Sequence, residues 1–210
     1  QKPAAFMAPA WSPQADHWLG VSTHSQGDRL QLFGAEEQKT VTTVSGGDAA
    51  FVWSPQGDRV AYALRQNPTD LFYGPIHLFD LKTGQSRQVT DNGLQIVAFF
   101  WDPAGQRLGY LTLLTMPRNE WMQWRVYDLS TESDRGFKAF DPSLHMRFVM
   151  SSFNQYAQSH RFWSPDGRYL VYADRGQDGE GRVWLVDTRS QDGNNAVLVD
   201  RGTMGFWSWQ

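Results

Sequence analysis

Five histidines, His17, His24, His77, His145 and His160, are the residues of this chain best suited to hold a metal or move a proton. A transition-metal site needs several such ligands to converge, usually with carboxylates. These are scattered along the chain, although His145 and His160 flank one long insertion. The stretch DRGQDGEG (174–181) carries Asp174 and Asp178 with a glycine after them, as a calcium loop would. It lacks the acid at the third position and the bidentate Glu at the twelfth, so it reads as a polar turn between strands. No G-x-S-x-G elbow, H-E-x-x-H, P-loop or G-x-G-x-x-G occurs, and there is no cysteine. The expectation is a chain with no catalytic residue, no metal and no cofactor of its own.

The elements that carry these residues are legible from composition. Of 210 residues, 10 are Trp, 13 Phe and 7 Tyr, and aromatic side chains favour pleated, half-buried surfaces. The net charge is −3, with acids and bases interspersed. This argues against a nucleic-acid binder, which presents a basic face. No apolar run approaches the ~18 residues of a membrane span. The first residues, QKPAAFMAP, hold no apolar signal core, as in a chain that is mature after cleavage or never targeted.

An internal repeat organises the rest. PAWSPQADHWLGVS, FVWSPQGDRVAYAL, FFWDPAGQRLGYLT and RFWSPDGRYLVYAD align on Trp11, Trp53, Trp101 and Trp163, and Trp207 takes a fifth such position. The intervals are 42, 48, 62 and 44 residues, a period that suits four short strands with their turns. In each unit a strand ends at the Trp and the Pro presets φ for a tight turn. A glycine then serves a left-handed position, and a second, alternating strand follows. Third strands read IHLFDL (76–81), WRVYDL (124–129) and RVWLVDT (182–188). Fourth strands read SRQVT (86–90) and AVLVD (196–200).

These residues resemble the TolB-like β-propeller repeats, whose hallmark is a W-S-P-D-G turn before an apolar strand. Trp163-Ser164-Pro165-Asp166-Gly167 is the full motif; Asp102 replaces the Ser in the third unit and Ala15 the Gly in the first. The resemblance implies an all-β propeller of four four-stranded blades, at 6–45, 46–91, 92–141 and 155–201. Residues 142–154 form an inter-blade insertion, and 203–210 start a further blade. Rings of this kind usually close with about six to eight blades. Four blades and one strand therefore predict an open arc, either part of a longer polypeptide or one half of a ring closed head to tail by a second copy. A four-bladed ring with an overlapping last strand is a third arrangement.

In such a propeller the turns after the first and third strands share one face, and the connections after the second and fourth strands share the other. The long connections here belong to the second set: RQNPTDLFYGP, LTMPRNEWMQ, RGQDGEG and, longest, DPSLHMRFVMSSFNQYAQS (141–159). Their aromatic, Met and Arg content is that of protein interfaces. The candidate partner-binding residues are Phe72, Tyr73, Met116, Arg118, Trp121, Met122, His145, Met146, Arg147, Phe148, Phe153 and Tyr156. The alternative is that these loops fold back and bury their own aromatics. On the innermost strands, Ala50-Phe51 and Ala98-Phe99 give way in the fourth unit to His160-Arg161, which are candidate channel-mouth residues.

The function expected is a non-catalytic interaction scaffold that binds another protein, in an envelope or other multi-subunit complex, on the loop face. Nucleic-acid binding and membrane insertion are not expected. TolB, which the repeat resembles, docks partners in the bacterial periplasm, which implies a periplasmic or otherwise exported location. Removing 141–159 is expected to abolish capture and spare the core. The second reading is the substrate-gating propeller of a prolyl-oligopeptidase-like peptidase whose catalytic domain lies outside these residues. A metal-dependent lyase is a third, because some lyases with similar propellers place histidines and a divalent metal at the channel mouth; the other repeats here supply no matching histidines.

Overall fold

The computed structural model describes residues 9–45, 48–67, 69–70, 72–115, 120–157, 159–190 and 195–208. The chain folds as successive antiparallel meanders. The first is β1 (Ala10–Trp11), β2 (Trp18–Ser22), β3 (Asp28–Phe33) and β4 (Gln38–Val44). The second is β5 (Ala49–Trp53), β6 (Arg59–Leu64), β7 (His77–Asp80) and β8 (Gln85–Gln88). The third is β9 (Ile96–Trp101), β10 (Arg107–Thr115), β11 (Glu120–Asp128) and β12 (Ser133–Gly136). Two helices, α1 (Leu144–Ser151) and α2 (Phe153–Tyr156), precede the fourth, which is β13 (Tyr169–Arg175), β14 (Gly181–Asp187) and β15 (Ala196–Arg201). Strand order in every sheet follows chain order, as in the blades of a propeller.

One hydroxyl or carboxylate holds each repeated turn. Ser54 Oγ accepts the backbone N–H of Arg59 at 3.0 Å and donates to Asp58 at 2.8 Å. Ser164 Oγ accepts from the N–H of Tyr169 at 2.8 Å, and Ser12 Oγ from that of His17 at 3.2 Å. In the third blade Asp102 Oδ1 does the same work, accepting from Gln106 at 2.8 Å and Arg107 at 2.9 Å. All four residues are buried, so the backbone donors they satisfy have no water to fall back on. The left-handed position follows: Gly57, Gly105 and Gly167 lie at φ 71°, 63° and 65°, and Ala15 at 57°.

The tryptophans join the blades. Trp53 Nε1 donates to Ala10 O at 3.0 Å, Trp101 Nε1 to Val52 O at 3.3 Å and Trp163 Nε1 to Phe100 O at 3.0 Å. Each indole thus reaches the carbonyl just before the previous anchor tryptophan. A second link crosses the turns, where Gln14 Nε2 donates to Gln56 O and Gln56 Nε2 to Ala104 O. A Cβ at Gly57 or Gly105 would overlap these glutamine side chains, so glycine is required there for space as well as for φ.

Two details differ from expectation. The fourth sheet has three strands, and its innermost segment is reduced to a bridge between Trp163 and Leu170. The chain arrives there directly from α2 and has little length in which to run extended. Residues 203–208 lie in no strand; Trp207 N donates to Arg161 O at 3.0 Å, which sets this segment beside the fourth blade's inner edge. The outermost strand of that blade exposes Val197, Leu198 and Val199. Among the described residues no helix is long and apolar enough to cross a membrane.

Candidate functional site

The 141–159 insertion folds into the helix pair and closes over the loop face. Ser143 caps α1, its Oγ accepting the N–H of Met146 at 3.1 Å. One side of α1 is driven into the core by Met146 and Met150, one turn apart. Phe153 continues this buried side, with its ring edge-on to Phe99 at 4.9 Å and to Phe100 at 5.3 Å. Ion pairs fasten the rim. Arg147 meets Asp141 at 2.9 Å and Glu120 at 3.5 Å, and Arg175 meets Asp141 at 3.5 Å. Toward the second blade, Asn154 Nδ2 donates to Asp48 at 3.2 Å, and Asp48 pairs with Arg65 at 3.1 Å. The Arg65 guanidinium lies 5.1 Å over the Tyr73 ring. Burial, with the Asp48 charge adding to it, pushes the Tyr73 phenol well above its ordinary range.

The other side of α1 faces solvent. Leu144 is 80% and Phe148 73% exposed, at i and i+4, so the two make one apolar patch on a helix that is fixed from below. His145 beside them is exposed too.

Where the inner strands converge, a cavity of about 600 Å³ opens. Its wall is the repeated motif itself, with Pro13, Pro55, Pro103 and Pro165 supplied one per turn. His160 and Arg161 also line it. His160 stacks on Phe206 at 5.0 Å, and burial pushes its imidazole pKa down. Among the described residues no group of three or more His, Asp or Glu is placed to hold a metal ion.

No family model matches the chain, and no curated protein sequence matches it either. Solved structures do. TolB from Acinetobacter baumannii aligns at a TM-score of 0.56 and 17% identity, over 91% of this chain and 45% of its own. The fold is a TolB-like β-propeller. An oligogalacturonate lyase in complex with manganese aligns at 0.63 and 13% identity, over 98% of this chain and 55% of its own. An acylaminoacyl peptidase from Pyrococcus horikoshii aligns at 0.57 and 14% identity, over 87% and 30%. The chain spans about half the length of the first two of these proteins.

On this TolB-like propeller the candidate residues divide by depth. Tyr73, Met122, Met146 and Phe153 are buried and belong to the core, so they support the face without forming its surface. Arg147 is half-buried in its ion pairs, and Phe72 and Trp121 are also half-buried. Only His145 and Phe148 of the described candidates are fully at the surface. Met116 and Arg118 lie outside the described residues, as does the side chain of Tyr156. Trp121 and Met122 are not loop residues. They sit in β11, paired with Leu114 and Leu113 of β10, because that hairpin extends well beyond the other blades. Leu144, the most exposed large apolar side chain among the described residues, is not among the candidates. The signal for it was present: a Ser cap at 143, then Met146, Met150 and Phe153 at helical spacing, which turns Leu144 and Phe148 outward.

Proposed function

We propose that this TolB-like chain is a non-catalytic scaffold that binds a partner protein on its loop face, with Leu144 and Phe148 as the anchors. The observation that carries this reading is the exposed apolar pair on a helix whose other side is locked into the core. Two large apolar side chains held rigidly in water pay little entropy on docking, which is how a few residues come to dominate an interface. The compartment we propose is the periplasm or another exported space, a reading supported by the TolB-like fold. Crosslinking from a photoreactive residue at position 148, in the native source, tests the reading. A discrete partner adduct that disappears in Leu144→Asp, with the melting temperature unchanged, is the expected result. No adduct, or an adduct insensitive to Leu144→Asp, would sink it.

The likeness to a peptidase supports a second reading, in which the arc gates a hydrolase domain elsewhere in a longer polypeptide. In that case Leu144→Asp alters the size selectivity of peptide cleavage by that polypeptide and leaves no partner to capture.

A further inference from the structure

The grooves between blades two and three and between blades three and four are built from the same repeat positions, yet the inner arginine bridges the blades in only one of them. In the groove between blades three and four, Arg107 follows its anchor Trp101 by six residues. Its Nε meets Asp102 at 3.2 Å, its Nη1 donates to Thr188 Oγ1 at 3.1 Å and its Nη2 to Gly167 O. The guanidinium also lies 5.0 Å over the Trp163 ring. Arg135, on the outermost strand, donates to Ser190 O. Both arginines are therefore spent on the next blade.

In the groove between blades two and three the same two positions hold Arg59 and Arg87. Arg59 follows Trp53 by six residues, and Arg87 pairs with Leu78 as Arg135 pairs with Val126. Opposite Arg59, the position equivalent to Thr188 is Leu129, which offers no acceptor. The Arg59 guanidinium makes no hydrogen bond among the described residues, and its nearest carboxylate oxygen, on Asp58, is 3.9 Å away. Arg87 crosses to blade three as Arg135 crosses to blade four, its Nη1 donating to Glu132 at 2.9 Å and to Tyr127 Oη at 3.3 Å, so the two grooves differ at the inner arginine, Arg59. What remains is a cleft of about 370 Å³ with both arginines in its wall.

We propose that this cleft binds a small polyhydroxylated carboxylate. The Arg59 guanidinium matches a carboxylate in geometry and charge, while Arg87 is held in its ion pair with Glu132. Gln85, Gln106 and Ser86 line the same cleft and suit hydroxyl groups, while Leu78 and Leu129 give it an apolar floor. Its one carboxylate, Asp80, accepts the N–H and hydroxyl of Thr83 through Oδ1, and its charge also faces Arg59, so a bound carboxylate competes with Asp80 for that guanidinium. The volume stands at the small end of ligand sites, which run from about 300 to 1,000 Å³, and so favours a ligand of monosaccharide size. The site lies at the turn ends of the blades, on the opposite face from α1, and is independent of partner binding.

The test is calorimetric titration of the 210-residue chain with gluconate and, in parallel, with sorbitol, which carries a neutral CH2OH in place of the carboxylate. Gluconate is expected to bind and sorbitol not to. Arg59→Gln should weaken gluconate by about tenfold or more, the scale of one lost charge-assisted contact. Leu129→Thr restores the hydroxyl that Arg107 uses in the next groove, and is expected to recapture Arg59 and weaken gluconate too. Equal binding of sorbitol, inorganic phosphate binding as tightly as gluconate, undiminished gluconate binding by Arg59→Gln, or no gluconate binding at all overturns the proposal.

Discussion

At the scale of single residues, a buried oxygen at each repeated turn accepts backbone N–H groups at the start of the strand that follows. Ser54 is fully buried, and its hydroxyl is the acceptor for the Arg59 N–H. Ser54→Ala leaves that donor without a partner and should cost about 1–3 kcal/mol, read as a lower urea midpoint. Asp102 shows that the chemistry needed is an acceptor oxygen and not serine itself, so Ser54→Asp should recover part of the loss. The first blade offers the converse. Ala15 holds a left-handed φ of 57° that its Cβ disfavours, so Ala15→Gly should stabilise by up to about 1 kcal/mol. Histidine adds a pH term. Burial lowers the pKa of His77 from its ordinary 6.5, against the opposing bond to Pro75 O. The folded state therefore prefers the neutral ring. Stability is full above pH 6.5 and falls as the pH drops from there through the lower folded-state pKa. His77→Phe, which keeps the stacking on Tyr62, should flatten thermal stability between pH 7 and pH 5. An unchanged slope would show that His77 is not the group responsible.

At the scale of elements, the insertion is a structural part as much as a functional one. Met146, Met150 and Phe153 enter the core that spans blades two to four, so deleting 141–159 removes core and surface together. Capture lost on that deletion would say nothing about where a partner sits. Point changes separate the two roles. Met146→Ala or Phe153→Ala should cost about 2–5 kcal/mol through the cavity left behind. Leu144→Asp and Phe148→Asp should leave the unfolding midpoint nearly unchanged, because neither side chain is buried. The same contrast explains what was legible in the sequence. Strands are readable where the repeats align, as at Trp124 to Asp128 of β11, but the inward alternation runs back through Met122, into what the alignment leaves as loop. The helices are not legible from aromatic and Met content, because composition does not say which side of a turn a residue faces. The spacing from Ser143 to Phe153 carried that information. The inner segment of blade four was overread for a related reason: its Trp fits the motif, but the pairing depends on how α2 delivers the chain.

At the scale of the whole molecule, the repeat fixed the blades because the buried anchor tryptophans have two tasks, filling their own blade and bonding to the one before, whereas Trp11 of the first blade is exposed. Three of these links are made, through Trp53, Trp101 and Trp163. Trp207 has the same sequence context but a different environment. Its backbone N–H donates to Arg161 O, and its indole nitrogen is shielded from solvent without a partner among the described residues. Phenylalanine keeps much of the ring and removes the donor, so it separates packing from hydrogen bonding. Trp163→Phe should cost about 1–2 kcal/mol, from the lost bond to Phe100 O and the smaller ring. Trp207→Phe removes an unsatisfied donor, a gain that offsets its loss of contact, and should be close to neutral. Urea midpoints of the two variants, measured side by side, decide the point. A Trp207→Phe loss as large as that of Trp163→Phe would mean that the fifth indole makes its inter-blade bond in solution, at the carbonyl of Phe162 where the repeat would put it.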